Sequence, residues 1–178
     1  MAKKKKCKNP DCREWYQPWS SLQKACSPAC ALVVGRQEQE RKEKRELRHR
    51  KEKLKTRQDW LREAQAEFNK YIRLRDAALP CISCGRHHEG QWHAGHYRSV
   101  GACSSLRFDE SNVQKQCMPC NAHKSGNVVE YRINLIERIG ESEVERLETT
   151  NAMYPWSIEE AKTIKSIYRE KCRELEKS

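Results

Sequence analysis

The chain has 178 residues, 37% of them hydrophobic and 34% charged, so its apolar content cannot build one large core over the whole length. Domains with so little core are commonly held by a metal or an interface. Lysine and arginine number 36 against 25 aspartate and glutamate, a formal net charge of +11, which favours a polyanionic partner, with nucleic acid the first choice.

The longest apolar run, Ala31 to Val34, excludes a membrane-spanning helix, and the start Ala2-Lys3-Lys4-Lys5-Lys6 has no apolar secretory segment. The expected setting is cytoplasmic, with no membrane. Ten cysteines fall into two quartets, Cys7, Cys12, Cys26, Cys30 and Cys81, Cys84, Cys117, Cys120, with Cys103 and Cys172 left over. Paired cysteines in that setting favour metal over disulfides.

In chain order, residues 1–34 read as a four-cysteine zinc finger, Cys7-x4-Cys12 followed by Cys26-x3-Cys30. Four thiolates around one tetrahedral ion allow so short a segment to fold. The intervening Trp15-Tyr16-Gln17-Pro18-Trp19 is expected to form its mini-core, with stacking on bases as the other use. Residues 35–79 are a charged run almost free of glycine and proline, predicting one long helix. Leu47, Leu54, Leu61 and Phe68 recur every seven residues, with Ala64 and Tyr71 filling the stripe in the second half. Such a seam fits a second copy, as in a homodimeric coiled coil, or the chain's own C-terminal helices, and a solvated single arm weighs equally.

Pro80 opens a compact module over residues 80–127, and residues 128–178 read as helices. Val128 to Ile139 is amphipathic, with Val129, Ile133, Leu135 and Ile136 expected inward and Gly140 as the stop. A short helix over Glu141–Leu147 follows. Ser157-Ile158-Glu159-Glu160 is a capping box that starts a last helix to about Leu175, with Ala161, Ile164, Ile167 and Tyr168 inward.

Cys81-x2-Cys84 and Cys117-x2-Cys120 are two knuckles separated by a long insert, a strong signal for a structural zinc. The insert holds Trp92-His93-Ala94-Gly95-His96-Tyr97 and Asn112, and Asn121 and His123 follow the last cysteine. This order resembles the His-Asn-His nucleases, particularly their zinc-bearing branch, which includes phage junction-resolving endonuclease VII. The strings Ala94-Gly95-His96-Tyr97-Arg98-Ser99, Leu106-Arg107-Phe108-Asp109-Glu110-Ser111-Asn112-Val113 and Gln116-Cys117-Met118-Pro119-Cys120-Asn121 are more specifically similar to the lambdoid phage NinG (Rap) recombination proteins. Lys124-Ser125-Gly126-Asn127 and Glu130-Tyr131-Arg132 extend the likeness.

The resemblance implies a mostly α fold around a small ββα-metal (His-Me finger, treble-clef-like) module, in a protein of the host bacterial cytoplasm. It implies an endonuclease acting on branched DNA such as Holliday junctions and D-loops. His96 then matches the general base, Asn112 the asparagine that buttresses the hairpin, and Asn121 a ligand of a catalytic Mg²⁺ or Mn²⁺. An imidazole near neutral pKa can deprotonate water, and an amide oxygen suits a hard ion. The wider class commonly places an aspartate directly before the base as second ligand, and here that position is Gly95. His93 is the proposed replacement, which shifts the preference toward Mn²⁺. Strand alternation sends His93 and His96 to opposite faces unless the backbone bends, and Gly95 would permit a bend. His123 is the other candidate ligand. His87 and His88 compete with the zinc cysteines only if four thiolates do not already close the shell.

Two readings compete with the nuclease. One is a non-catalytic, zinc-dependent DNA-binding protein. The other is an RNA-binding or protein-bridging adaptor built on the charged helix, which leaves the insert between the knuckles without a purpose.

Overall fold

The computed structural model describes residues 3–177; residues 1, 2 and 178, at the outer ends of the first and last predicted regions, lie outside them. The fold is mostly helical with two small sheets, and the chain forms two compact units, 1–55 and 56–178. Among the described residues no helix is long and apolar enough to cross a membrane.

In the first unit, β1 (Lys5–Lys6) pairs antiparallel with β2 (Trp15–Tyr16), and α1 (Pro28–Lys53) follows. Ser27 caps α1 by accepting the Cys30 N–H, and Pro28 occupies the first turn, where its missing N–H costs nothing. The helix therefore begins inside the predicted finger rather than at Gly35. Cys7, Ala25, Cys30 and Val34 form the small core, with Tyr16 packed against it. Trp15 and Trp19 do not join it: Trp19 is 87% exposed. Tyr16 alone fills the space, its hydroxyl donating to the Gln23 carbonyl at 2.8 Å.

The predicted single helix is broken. Thr56 accepts the Asp59 N–H at 3.2 Å and Asp59 Oδ2 accepts the Thr56 N–H at 3.0 Å, a reciprocal capping box that starts α2 (Arg57–Arg75) afresh. The seven-residue seam divides at the same place. Leu47 and Leu54 are 53% and 80% exposed, whereas Leu61 and Phe68 are buried.

The second unit is organised by α2 against α5 (Ile158–Leu175), which starts at the predicted Ser157 capping box. Trp60, Leu61, Ala64, Phe68 and Ile72 of α2 meet Ala161 and Tyr168 of α5, together with Phe108 and Val113. The Phe68 ring stands edge-on to Phe108 at 5.7 Å and to Tyr168 at 4.7 Å. Ile167, expected inward, is exposed, and Cys172 takes the inward place one turn beyond Tyr168.

A second core joins α3 (Val128–Ile139) and α4 (Glu141–Thr149) through Tyr131, Leu135, Val144 and Leu147, with Ile82, Cys103 and Leu106. Val129 and Ile133, expected inward, are exposed because the fully buried Tyr131 and Leu135 set the packed face of α3 half a turn away.

Between these cores lies a two-stranded antiparallel hairpin, β3 (Trp92–His96) and β4 (Val113–Cys117), in unbroken register from Trp92↔Cys117 to His96↔Val113. Every β4 residue is buried. The helix expected to follow is only one wide turn over Pro119–His123, closed by the Lys124 N–H on the Pro119 carbonyl. Three successive left-handed residues, Ser125, Gly126 and Asn127, stop it before α3.

Candidate functional site

Each cysteine quartet converges. Within each group the four sulfurs lie within 4.8 Å of one another, and no described cysteine is in a disulfide. Four thiolates on a tetrahedral zinc at about 2.3 Å stand about 3.8 Å apart. The closer pairs match: Cys12–Cys26 at 3.5 Å, Cys26–Cys30 at 3.7 Å and Cys84–Cys117 at 4.0 Å. Both clusters could hold zinc.

The thiols are set unequally. An N–H from Asn9, and Ser27 behind it, hold Cys30 down at about 7. The contact with the Cys12 thiol pushes Cys26 up to about 12, and burial does the same to Cys120. A bound cation would relieve this crowding by drawing all four to thiolates. Near the second quartet, His88 Nε2 lies 3.2 Å from Cys84 Sγ, close enough for a hydrogen bond to that ligand.

His96 ends β3. Its Nε2 is 3.1 Å from the carbonyl oxygen of Arg107. A carbonyl can only accept, so Nε2 carries the proton and Nδ1 keeps the lone pair. Burial lowers the pKa of the ring from its ordinary 6.5, against the hydrogen bond to Arg107, which raises it. The imidazole is therefore neutral and able to accept a proton at pH 7.

The carbonyl under His96 is held by its own loop. Asn112, wholly buried, accepts the Arg98 N–H at 2.8 Å and donates to the carbonyls of Arg98 at 3.0 Å and Leu106 at 3.1 Å. One amide thus ties both ends of the segment between the strands. The Arg107 side chain is tied as well, its Nε donating to Gln65 Oε1 of α2 at 2.9 Å.

His93 and Asn121 meet. His93 Nδ1 and Asn121 Nδ2 are 2.8 Å apart, and a 180° turn of the amide puts Oδ1 in the same place. As it stands the contact is a hydrogen bond; two donors at right angles on one ion, each at about 2.1 Å, stand about 3.0 Å apart, so with the amide turned the pair could also serve as adjacent ligands of one cation. His123 is exposed at the end of the same turn and is not part of this cleft.

The bend that Gly95 would permit is absent, since the hairpin register is continuous through it. His93 and Gly95 therefore share one face of β3, opposite His96. What Gly95 provides is room: a Cβ there would stand 2.1 Å from Gln116 Oε1 and 3.1 Å from Gln116 Cβ. The Gln116 amide cannot easily withdraw, because it is buried and its Nε2 donates to Ser83 Oγ and to the Gly126 carbonyl, each at 2.6 Å.

Sequence reasoning missed the contribution of α2 to this cleft. Asn69 and Arg73 line a cleft of about 470 Å³ with Gln91, Trp92, His93, Ala94 and Asn121. The polar spacing Gln65-Asn69-Arg73, a single stripe four residues apart, was the available signal.

A family model described as the bacteriophage lambda NinG protein matches residues 1–178. The protein ninG of Escherichia phage lambda is 44% identical over 198 aligned residues, which cover 100% of this chain and 97% of that protein. That of Salmonella phage P22 is 44% identical over 198 residues, with 100% and 98% covered. That of Escherichia phage 933W is 41% identical over 196, again with 100% and 98% covered. No solved structure matches the chain.

Proposed function

The chain belongs to the bacteriophage lambda NinG family, and from that premise we propose that it is a metal-dependent, structure-selective DNA endonuclease of phage recombination, cutting branched DNA with His96 as general base. The observation that carries this reading is the approach of His93 Nδ1 to Asn121 at 2.8 Å, on the hairpin that also orients His96. On this reading the hairpin, the turn carrying Asn121 and the second cysteine quartet form a ββα-metal module whose closing helix is reduced to one turn.

His96 takes a proton from water at Nδ1, while Arg107 O keeps the ring in the tautomer that leaves Nδ1 free. The water oxygen bonds to phosphorus in line with the departing 3′ oxygen. The P–O3′ bond breaks, and the leaving oxygen is protonated from solvent. Asn121 and His93 would hold a divalent ion, which supplies neutralisation of charge on the phosphate and the leaving oxygen. Asn112 touches no reactant and is a positioning residue. Zinc in the two cysteine quartets is structural, since four thiolates leave no open position. Paired nicks across a junction need two active sites, which a homodimer supplies.

The test is nicking of a synthetic four-way junction beside a linear duplex of matched sequence, in Mg²⁺ and Mn²⁺ separately, by wild type and His96→Ala. Nicking of the junction by wild type alone is expected, with DNA binding retained in the variant. Binding without nicking by both proteins in both metals replaces this reading with the non-catalytic DNA-binding one.

A further inference from the structure

Arg73 stands out among the groups that the proposed chemistry leaves unused. It is on α2, half-buried, and lines the same cleft as His93 and Asn121. Neighbouring arginines of the second unit are occupied. Arg75 is bound to Asp76 and to the Val113 carbonyl, and Arg107 to Gln65. Arg73 makes no hydrogen bond or ion pair with any other described residue. A half-buried guanidinium with no partner in the chain keeps its five N–H donors available to an anion.

We infer that Arg73 is a phosphate-binding residue, its guanidinium engaging a DNA backbone phosphate at the His93–Asn121 cleft. The inference rests on the endonuclease reading for the identity of the polyanion, and adds to it a contact from a helix outside the hairpin. Three features support it. The side chain is anchored on a rigid element, α2, whose other face is the core around Phe68 and Ile72. One turn before it, Asn69 lines the same cleft with its carbonyl occupied by Gln65 Nε2 at 2.8 Å, which leaves its own amide hydrogens free to point at an anion. Finally, no carboxylate lines the cleft, so an incoming phosphate meets no repelling charge. The planar fork of arginine matches two phosphate oxygens at once.

The test is binding of a fluorescein-labelled four-way junction at several salt concentrations without added divalent ion, by wild type, Arg73→Ala, Arg73→Lys and Arg62→Ala. Arg62 is an exposed arginine of the same helix, outside the cleft, and controls for the loss of one charge. A phosphate contact contributes about 0.9 to the slope of log affinity against log salt. Arg73→Ala is expected to lose that increment and Arg73→Lys to keep it, while Arg62→Ala leaves the slope unchanged. In single-turnover nicking, Arg73→Ala is expected to be slower by about tenfold or more, as for loss of a charged hydrogen bond. Unchanged melting and zinc content are expected, because Arg73 has no protein partner to lose. An unchanged slope in Arg73→Ala, an equal change in Arg62→Ala, or no retention by Arg73→Lys overturns the assignment. Failure of wild type to nick would sink the endonuclease reading and leave the slope comparison decisive for Arg73.

Discussion

Replacing Asn112 by alanine tests the link between the hairpin's architecture and its chemistry. The amide makes three hydrogen bonds, all to backbone, at 2.8, 3.0 and 3.1 Å. Its removal leaves the Arg98 N–H and the Arg98 and Leu106 carbonyls without that partner. A buried polar group left unsatisfied costs about 1–3 kcal/mol. The Leu106 carbonyl keeps the Asp109 N–H at 3.3 Å and the two bonds to Arg98 are only partly buried, so some of the loss is recovered and the sum is about 3–4 kcal/mol. For a unit of this size that is a fall in melting temperature of roughly 10–20 °C. The functional effect should exceed what stability alone explains. The segment tied by Asn112 carries Arg107, whose carbonyl fixes the His96 tautomer, and a misplacement of about 1 Å at a reacting group can cost about 100-fold in rate. The assays are thermal melting of zinc-loaded protein and junction nicking well below the variant's transition. Aspartate is the sharper control. It keeps the acceptor for the Arg98 N–H but turns a carboxylate oxygen toward two carbonyls, so it should be no better than alanine. If Asn112→Ala melts within about 1 kcal/mol of wild type, or nicks at the wild-type rate, the buttress argument is wrong.

Burial lowers the His96 pKa, so the acid limb of kcat/KM for nicking should inflect below 6.5, and an inflection above 7 contradicts the neutral ring. The same shift makes the unfolded chain bind more protons just below pH 6.5, so this group's stabilising contribution is complete above that pH and declines as pH falls toward the lowered value. Gly95→Asp should destabilise by about 1–3 kcal/mol through overpacking against Gln116. The double variant with Gln116→Ala should recover much of that loss in denaturant melts, and simple additivity would show that the two positions do not collide. Cys117→Ser should cost one zinc per chain by metal analysis and abolish nicking, whereas Cys103→Ser should leave zinc content unchanged. Phe68→Ala, at the meeting of α2 with Phe108 and Tyr168, should lose about 3–5 kcal/mol of stability, and a loss under about 1 kcal/mol would deny α2–α5 its place as the main core.

What could be read from the chain was whatever has a local signature. Cysteine spacing identified both quartets because two thiols a few residues apart can reach one ion with little chain in between. Gly140 and the Ser157 box placed the ends of the C-terminal helices for the same reason, since caps are short-range hydrogen bonds. The misreadings came from choices made by tertiary packing. The break at Thr56 was hidden because Thr56-Arg57-Gln58-Asp59 lies within a run of good helix formers, where aspartate at the third position is a weaker cue than glutamate. Amphipathicity of α3 was clear, but its inward face was decided by one buried tyrosine, Tyr131, whose hydroxyl reaches the Gly95 carbonyl at 2.8 Å. The stripe on α2 looked like solvated surface because nothing local tells which polar face of a helix will adjoin a cleft.

Gly95 joins the fold to the proposed chemistry. An aspartate directly before a strand-end histidine leaves the strand on the face opposite that histidine, because alternation has period two. His93 is two residues earlier and so is on that same face, with the hairpin register unbroken between them. On the proposed reading no bend is needed for His93 to take the ligand's role, the donor being displaced along one face rather than lost. Gln116 accounts for the displacement. Its side chain fills the volume that a carboxylate at position 95 would occupy, and it is fixed there by Ser83 and Gly126. Those two partners lie on the loops that carry the second cysteine quartet, Ser83 between Cys81 and Cys84 and Gly126 shortly after Cys120. The glutamine therefore ties the cysteine-bearing loops to the strand, and the space it takes is withheld from a carboxylate. A neutral imidazole in place of that carboxylate leaves a bound divalent ion with more net positive charge. It also moves the site's preference from Mg²⁺ toward Mn²⁺, so faster nicking in Mn²⁺ than in Mg²⁺ is the expected signature of ligation by His93.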